Sequence, residues 1–229
     1  MRRVLVVDDE PQLRRLVQLG FSRVGYEVEA VADGNGALER LGRGGYDLVV
    51  LDLGLPGLDG SEVLRRIRSW SEVPVIVLSV RRSQSDKIRL LQAGADDFVE
   101  KPFAIEELTA RGAAILKRSK VSSDEALLSF PDLEIDLARR LVVLAGQPVH
   151  LTPTEYRLLE ALATNAKKLL TPAWLLQQVW GTGYQTEREY LRTYVAQLRA
   201  KLGDKASEPR WIATEPRAGY RWLAEPEPA

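Results

Sequence analysis

The chain has no cysteine, one histidine and one methionine in 229 residues. Disulfide staples and thiolate metal sites are therefore excluded. No apolar run approaches the roughly 20 residues needed to cross a bilayer, so no membrane partner is expected. Arg2 and Arg3 precede four apolar residues, Val4–Val7, before the acids Asp8, Asp9 and Glu10. That is not the pattern of an export signal, and the expected compartment is the cytoplasm. Charge of one sign is lacking too: 32 basic residues balance 32 acidic ones. A uniformly cationic surface is excluded, but residues 188–221 hold eight Arg/Lys against four Asp/Glu. This is the stretch where a local footprint for nucleic acid is plausible.

What is present is a globular composition, 45% hydrophobic and 28% charged, arranged in two rhythms. Residues 1–118 alternate short apolar runs with amphipathic segments. The runs are Val4–Val7, Tyr26–Val31, Leu48–Leu51, Val75–Leu78 and Phe98–Val99, and the segments between them are helix-length. Five such repeats predict a doubly wound (βα)5 domain of the flavodoxin-like kind, with its parallel sheet covered on both faces. Residues 119–126 read as a linker and 127–226 as a second, α+β domain. There, short antiparallel strands around Leu133–Leu137, Leu141–Leu144 and Val149–Leu151 precede three helices. Thr152-Pro153-Thr154-Glu155 is a capping box, and Thr171-Pro172 opens the next helix similarly. A third helix, Glu187–Leu202, places Leu191, Val195, Leu198 and Leu202 on one stripe, and Gly203 ends it. A hairpin over Trp211–Thr214 and Tyr220–Leu223 closes the chain. His150, just before the capping box, reads as a strand-end residue.

Ligands of a doubly wound sheet sit beyond the carboxyl ends of its strands. Asp8 and Asp9 end the first strand and Asp52 ends the third. Carboxylates so close repel, and a hard cation such as Mg2+ relieves the repulsion. A carboxylate beside such a cation can attack a phosphoryl group. Ser79, ending the fourth strand, can hydrogen-bond a phosphoryl oxygen, and Lys101, after the fifth, supplies a fixed positive charge. A single strand-end aspartate is ordinarily a turn residue. The specificity lies in five positions at the ends of four strands.

The stretches LVVDDEP, DLVVLDLGLPGLDG, VIVLS and GADDFVEKPF resemble the signatures of response-regulator receivers. The resemblance implies that Asp52 accepts a phosphoryl group from a sensor histidine kinase. It also implies that Asp8, Asp9, Asp52 and the Gly54 carbonyl hold Mg2+, that Ser79 and Phe98 form the switch pair, and that Lys101 is the family's lysine. Phe98 lacks the hydroxyl of the more usual tyrosine, so packing alone would drive its rotation. Lys87, Asp96, Asp97, Glu107, Arg111 and Arg118 match the charged positions of the two-fold dimer face in OmpR/PhoB-type receivers, around an apolar centre of Ile88, Leu91 and Ala110. The implied cross-protomer pairs are Lys87 with Glu107, Asp97 with Arg111 and Asp96 with Arg118, giving a homodimer on phosphorylation.

On the third helix, Thr193, Ala196 and Ala200 lie opposite the apolar stripe. Arg188, Arg192 and Arg199 line one flank, and Tyr190, Tyr194 and Gln197 the other. Arginine can grip phosphate or guanine and Gln can read adenine. The stretches LTPTEYRLLEALATN, LLQQVWG, YLRTYVAQLRAKLG and IATEPRAGYRWL resemble the OmpR/PhoB winged-helix domain, nearest its KdpE-like subgroup. That implies promoter DNA as ligand, with Glu187–Leu202 as recognition helix. Thr214, Arg217 and Tyr220 would be wing contacts, and Gly181–Thr186 a loop facing RNA polymerase. An alternative class is a Mg2+-dependent phosphohydrolase with Asp52 as nucleophile. Such an enzyme needs a second acid/base, and the residue two after Asp52 is Gly54, so enzymatic turnover beyond slow self-dephosphorylation is not expected. A constitutive DNA-binding dimer indifferent to phosphorylation is a further alternative.

Overall fold

The computed structural model describes residues 2–80, 84–116, 127–181, 184 and 186–227; the side chains of Gln84 and Lys87 are outside that description. The chain divides into two compact units, residues 1–117 and 118–229.

In the first unit the five apolar runs become parallel strands: β1 (Arg3–Val7), β2 (Glu27–Val31), β3 (Leu48–Asp52), β4 (Val75–Ser79) and β5 (Asp97–Glu100). Their order is β2-β1-β3-β4-β5, the doubly wound arrangement. β1, β3 and β4 are β-branched and leucine-rich because side chains on both faces are covered. Val4–Val7, Leu48–Leu51 and Val75–Leu78 are all fully buried. Between the strands run α1 (Pro11–Arg23), α2 (Gly34–Gly42), α3 (Gly60–Arg68), α4 (Gln84–Gln92) and α5 (Ile105–Leu116). Val4 and Val6 pack with Val17 and Phe21 of α1 and with Leu108 and Ile115 of α5. The intervening Leu5 and Val7 turn to the other face by strand alternation.

The second unit starts with an antiparallel sheet, β6 (Leu127–Phe130), β7 (Leu133–Asp136), β8 (Leu141–Leu144) and β9 (Gln147–Pro148). The strand expected at Val149–Leu151 is absent. Pairing shifts to Gln147–Pro148, and Val149 N–H reaches the Val142 carbonyl at 2.8 Å. α6 (Pro153–Ala163) has the expected capping box, with Thr152 accepting from the Glu155 amide and Glu155 accepting from the Thr152 amide at 2.7 Å. β10 (Leu169–Leu170), two residues long and invisible to periodicity, pairs with the hairpin that follows the last helix. α7 (Pro172–Trp180) is capped by Thr171. α8 (Arg188–Lys201) ends where Gly203 turns left-handed at φ +63°. β11 (Ile212–Glu215) and β12 (Gly219–Trp222) form the terminal hairpin. Trp211 and Trp222 stack at 5.5 Å, with Phe130 meeting both edge-on, and this aromatic core seats the hairpin.

Candidate functional site

β1 and β3 are neighbours in register, Val7 opposite Leu51, so Asp8 and Asp52 leave adjacent strand ends side by side. Asp8 is fully buried and Asp52 is 5% exposed, while Asp9 is exposed. One carboxylate oxygen from each lies within 4.8 Å of the others. Lys101 reaches this group from beyond β5, its Nζ 2.8 Å from Asp8 Oδ2 and 3.0 Å from Asp52 Oδ1. Burial pushes the Asp52 carboxyl above its ordinary value; Lys101 opposes the rise, Asp8 adds to it and the Gly54 amide opposes it. For Lys101, burial lowers the ammonium pKa, but hydrogen bonds to Asp8 and Asp52 outweigh that and leave it raised. The pocket therefore keeps the Lys101 ammonium charged between Asp8 and Asp52.

The donor set fits a hard divalent cation: three carboxylates, from Asp8, Asp9 and Asp52. Asp8 is the most restrained member. Its Oδ1 accepts from the Glu10 amide at 2.9 Å and its carbonyl accepts from Arg14 Nη1 at 2.6 Å. Ser79 is 2% exposed and lies one step past Leu78, the β4 partner of Asp52. Phe98 is 6% exposed on β5.

Periodicity and motif reading missed two residues on α3, one that shapes this pocket and one at the opposite end of the sheet. Gly60 begins α3, and a Cβ there would lie 2.2 Å from the Asp52 carbonyl oxygen and 2.6 Å from Leu53 Cα. The absence of a side chain lets α3 close on the backbone that carries Asp52. The available signal was Asp59, which caps α3 by accepting from the Ser61 amide. Arg68, at the other end of α3, had none. Its guanidinium donates to the carbonyls of Gly94, Ser71 and Val73 and to Asp96 Oδ2.

That clamp corrects the expected dimer face. Asp96 is fully buried, held by Arg68 at 2.8 Å and by the Val75 amide at 3.0 Å, so its carboxylate does not face outward. Leu91 and Asp97 are each 1% exposed and turn inward as well. Arg111 pairs within its own chain, with Asp97 at 3.2 Å and Glu107 at 2.6 Å. Ala110 is exposed and Ile88 half-buried. The Lys87 side chain and Arg118 lie outside the described residues.

In the second unit, α8 exposes a ridge of Arg188, Arg192, Ala196 and Ala200, spaced by one helical turn. The expected stripe Leu191, Val195, Leu198 and Leu202 is buried. Several other expectations fail because α8 is covered on more than one side. Tyr190 and Tyr194 pack edge-on against Trp180 at 6.0 and 5.1 Å and belong to the core. Thr193 is 8% exposed, and its hydroxyl donates to the Glu189 carbonyl. Gln197 is half-buried. Arg199, only 11% exposed, donates to the Ile212 carbonyl and to Thr214 Oγ1.

On the hairpin, Thr214 and Arg217 are exposed, Arg217 at the turn with φ +63°. Tyr220 is mostly buried; burial raises its phenol pKa, and nearby Arg192 and Arg199 oppose the rise. A groove of about 110 Å³ separates α8 from the hairpin, lined by Arg188, Arg192, Thr214, Arg217 and Tyr220 among others. Of the Gly181–Thr186 loop, Gly181, Tyr184 and Thr186 are described, and Tyr184 packs on Tyr190. Among the described residues, no helix is long and apolar enough to cross a membrane.

The family model for the response regulator receiver domain matches residues 4–112, and that for the C-terminal domain of transcriptional regulatory proteins matches residues 146–222. The transcriptional regulatory protein KdpE of Mycobacterium tuberculosis is 45% identical over 98% of this chain and 100% of its own. The KDP operon transcriptional regulatory protein KdpE of Escherichia coli is 46% identical over 97% of this chain and 100% of its own. The crystal structure of the response regulator DrrB, a Thermotoga maritima OmpR/PhoB homologue, is similar with a TM-score of 0.54 and 32% identity, covering 97% of this chain and 99% of that one. A buried acid–lysine pocket on one unit and a basic helical ridge beside a hairpin on the other thus occur together in one recognised plan. The chain belongs to the OmpR/PhoB family of response regulators, which join a receiver to a DNA-binding domain and regulate transcription in response to phosphorylation.

Proposed function

We propose that Asp52 is the phosphoryl acceptor of this regulator, that a sensor histidine kinase is the donor, and that the phosphorylated chain pairs in the cytoplasm into a homodimer on promoter DNA. The observation that carries the reading is the placement of Lys101 between Asp8 and Asp52 at the carboxyl ends of β1 and β3.

In the transfer, an Asp52 carboxylate oxygen attacks phosphorus. The P–N bond to the donor imidazole breaks, its electron pair returns to nitrogen, and an acyl phosphate forms. Asp8, Asp9, Asp52 and the Gly54 carbonyl would hold Mg2+, which when bound neutralises charge on the phosphoryl oxygens. Lys101 is within reach of the same oxygens once Asp52 carries them. The Ser79 hydroxyl would donate to one, and Phe98 would follow it by packing. Lys101 would exchange its ion pair with Asp52 for one with the phosphoryl group, keeping its bond to Asp8. The residue two after Asp52 is Gly54 rather than an acid that could protonate a leaving alcohol, which supports an acceptor rather than a phosphohydrolase.

For DNA, Arg188, Arg192 and Ala196 would enter the major groove, and Thr214 and Arg217 would touch the backbone beside it. Balanced overall charge leaves one copy with few phosphate contacts, so pairing would raise affinity through effective concentration. On the dimer face, Arg111, Glu107 and Ala110 keep exposed surface and would take part, and Arg111 would share its Glu107 partner with the second copy. The loop at Gly181–Thr186 would meet RNA polymerase. The KdpE relatives favour a KDP-type operon as target. Sedimentation and promoter binding with and without acetyl phosphate and Mg2+ test the reading. Phosphodonor should produce a dimer and tighter binding with wild type and neither with Asp52→Ala; an unchanged mass distribution refutes the mechanism.

A further inference from the structure

Sequence reading assigns Arg199 to DNA, yet the structure turns it away. Its side chain is 11% exposed. Nη2 donates to the Ile212 carbonyl at 2.5 Å and to Thr214 Oγ1 at 3.0 Å, and Nε is buried 3.9 Å from Asp204 Oδ2. A guanidinium is planar, so two bonds from one nitrogen fix the orientation of the whole group. Asp204, immediately past the end of α8, is 8% exposed. Its carboxylate accepts from the amides of Arg210 at 2.6 Å, Trp211 at 3.3 Å and Ile212 at 2.9 Å. The start of β11 is thus held by Asp204, just past α8, and its middle by Arg199, from the last turn of α8. Strand pairing then carries the constraint to the hairpin turn, where Glu215 opposes Gly219.

We propose that Arg199 is a positioning residue for DNA binding: with Asp204 it brackets β11 to the end of α8 and so sets Thr214 and Arg217 at a fixed offset from the Arg188–Arg192 ridge. The bracket also orients Thr214. Its hydroxyl oxygen accepts from Arg199, which leaves the O–H to donate outward, towards a phosphate lodged in the groove between α8 and the hairpin. The inference rests on the assignment of α8 and the hairpin to DNA. A wing held at one offset selects the groove geometry that satisfies both contact sets together, so the bracket governs affinity without touching DNA.

The test uses the full-length protein and duplex fragments that wild type selects from random-sequence DNA; failure to select any refutes the DNA-facing assignment itself. Affinity is measured against salt for Arg199→Ala, Arg217→Ala and the double variant, with hydroxyl-radical footprints of each. Arg217→Ala alone should lower the salt slope by about 1, the signature of one lost phosphate contact. In the Arg199→Ala background it should change neither slope nor footprint, a coupling of about fivefold or more in the affinity cycle. Thr214→Val should behave as Arg199→Ala does, Thr214→Ser should restore binding, and Arg199→Lys should not, lacking the planar fork. Additive losses, with wing protection intact in Arg199→Ala, would overturn the proposal and make Arg199 an independent DNA contact. Should Arg199→Ala fail to fold, the exposed Thr214 site carries the same cycle against Arg217.

Discussion

Replacing Arg68 with alanine would take the guanidinium from a buried carboxylate. Asp96 is fully buried, Arg68 Nη2 lies 2.8 Å away with the arginine side chain 12% exposed, and the same guanidinium serves three carbonyls. Removing one partner of a buried pair typically destabilises by ~3–5 kcal/mol, because the remaining charge has lost its compensation. The three carbonyls lie nearer solvent, and water would take up most of their lost bonds, so little is added. The loss is a large share of the ~5–15 kcal/mol that holds an ordinary domain together. At roughly 3–5 °C per kcal/mol for a unit of this size, the receiver transition should fall by about 10–20 °C. Differential scanning calorimetry is the assay, since the chain has two compact units and one transition should move while the other stays. A second variant isolates the cause. Arg68→Met with Asp96→Asn removes the charge but keeps an acceptor for the Val75 amide, and should recover most of the loss. A fall below about 1 kcal/mol in Arg68→Ala, within the range of ordinary exposed pairs, would refute the reasoning, as would a double variant no better than the single one.

Other outcomes follow from the same geometry. Gly60→Ala forces a Cβ to 2.2 Å from the Asp52 carbonyl oxygen; overpacking of this kind destabilises by ~1–3 kcal/mol or more, and urea unfolding should show it together with slower phosphorylation. Asp52→Asn should stabilise the receiver at neutral pH. Burial raises the native carboxyl pKa despite Lys101, so the native state resists the ionisation that the unfolded chain accepts freely. The penalty is in force above the raised native value and vanishes below the ordinary 3.8, so thermal melts of the variant and wild type should converge on acidification through that window. Arg188→Ala and Arg192→Ala should weaken DNA binding in salt titrations, each lowering the slope by about 1 if it grips phosphate. A base-reading arginine would instead relax sequence preference at one position.

The parallel sheet was legible because β1, β3 and β4 are covered on both faces, and Val4–Val7, Leu48–Leu51 and Val75–Leu78 carry that burial as unbroken apolar runs. The acids were legible for a related reason: polar residues that end such runs fall at the strand ends. The capping box at Thr152–Glu155 was local chemistry and needed no tertiary knowledge. What sequence could not show was which polar groups face inward. Asp96 and Asp97 look like surface acids in the chain, yet both are buried, one clamped by Arg68 and the other paired with Arg111. Arg192 and Arg199 lie on the same predicted flank, but Arg199 sits where β11 passes and bonds to it, while Arg192 stays exposed. Gly60 is one glycine among 17, and only the approach of α3 to the Asp52 backbone distinguishes it. β10 spans two residues, too short for any period to register.

The central claim is that Asp52, held beside Asp8 and Lys101, takes up a phosphoryl group and thereby controls DNA binding. Intact-protein and peptide mass spectrometry after incubation with acetyl phosphate and Mg2+ tests its first half directly. The account predicts one added phosphoryl group, mapped to Asp52, lost on alkaline hydrolysis as an acyl phosphate is, and absent from Asp52→Asn. An unmodified wild type, or a label that persists in Asp52→Asn, would contradict it.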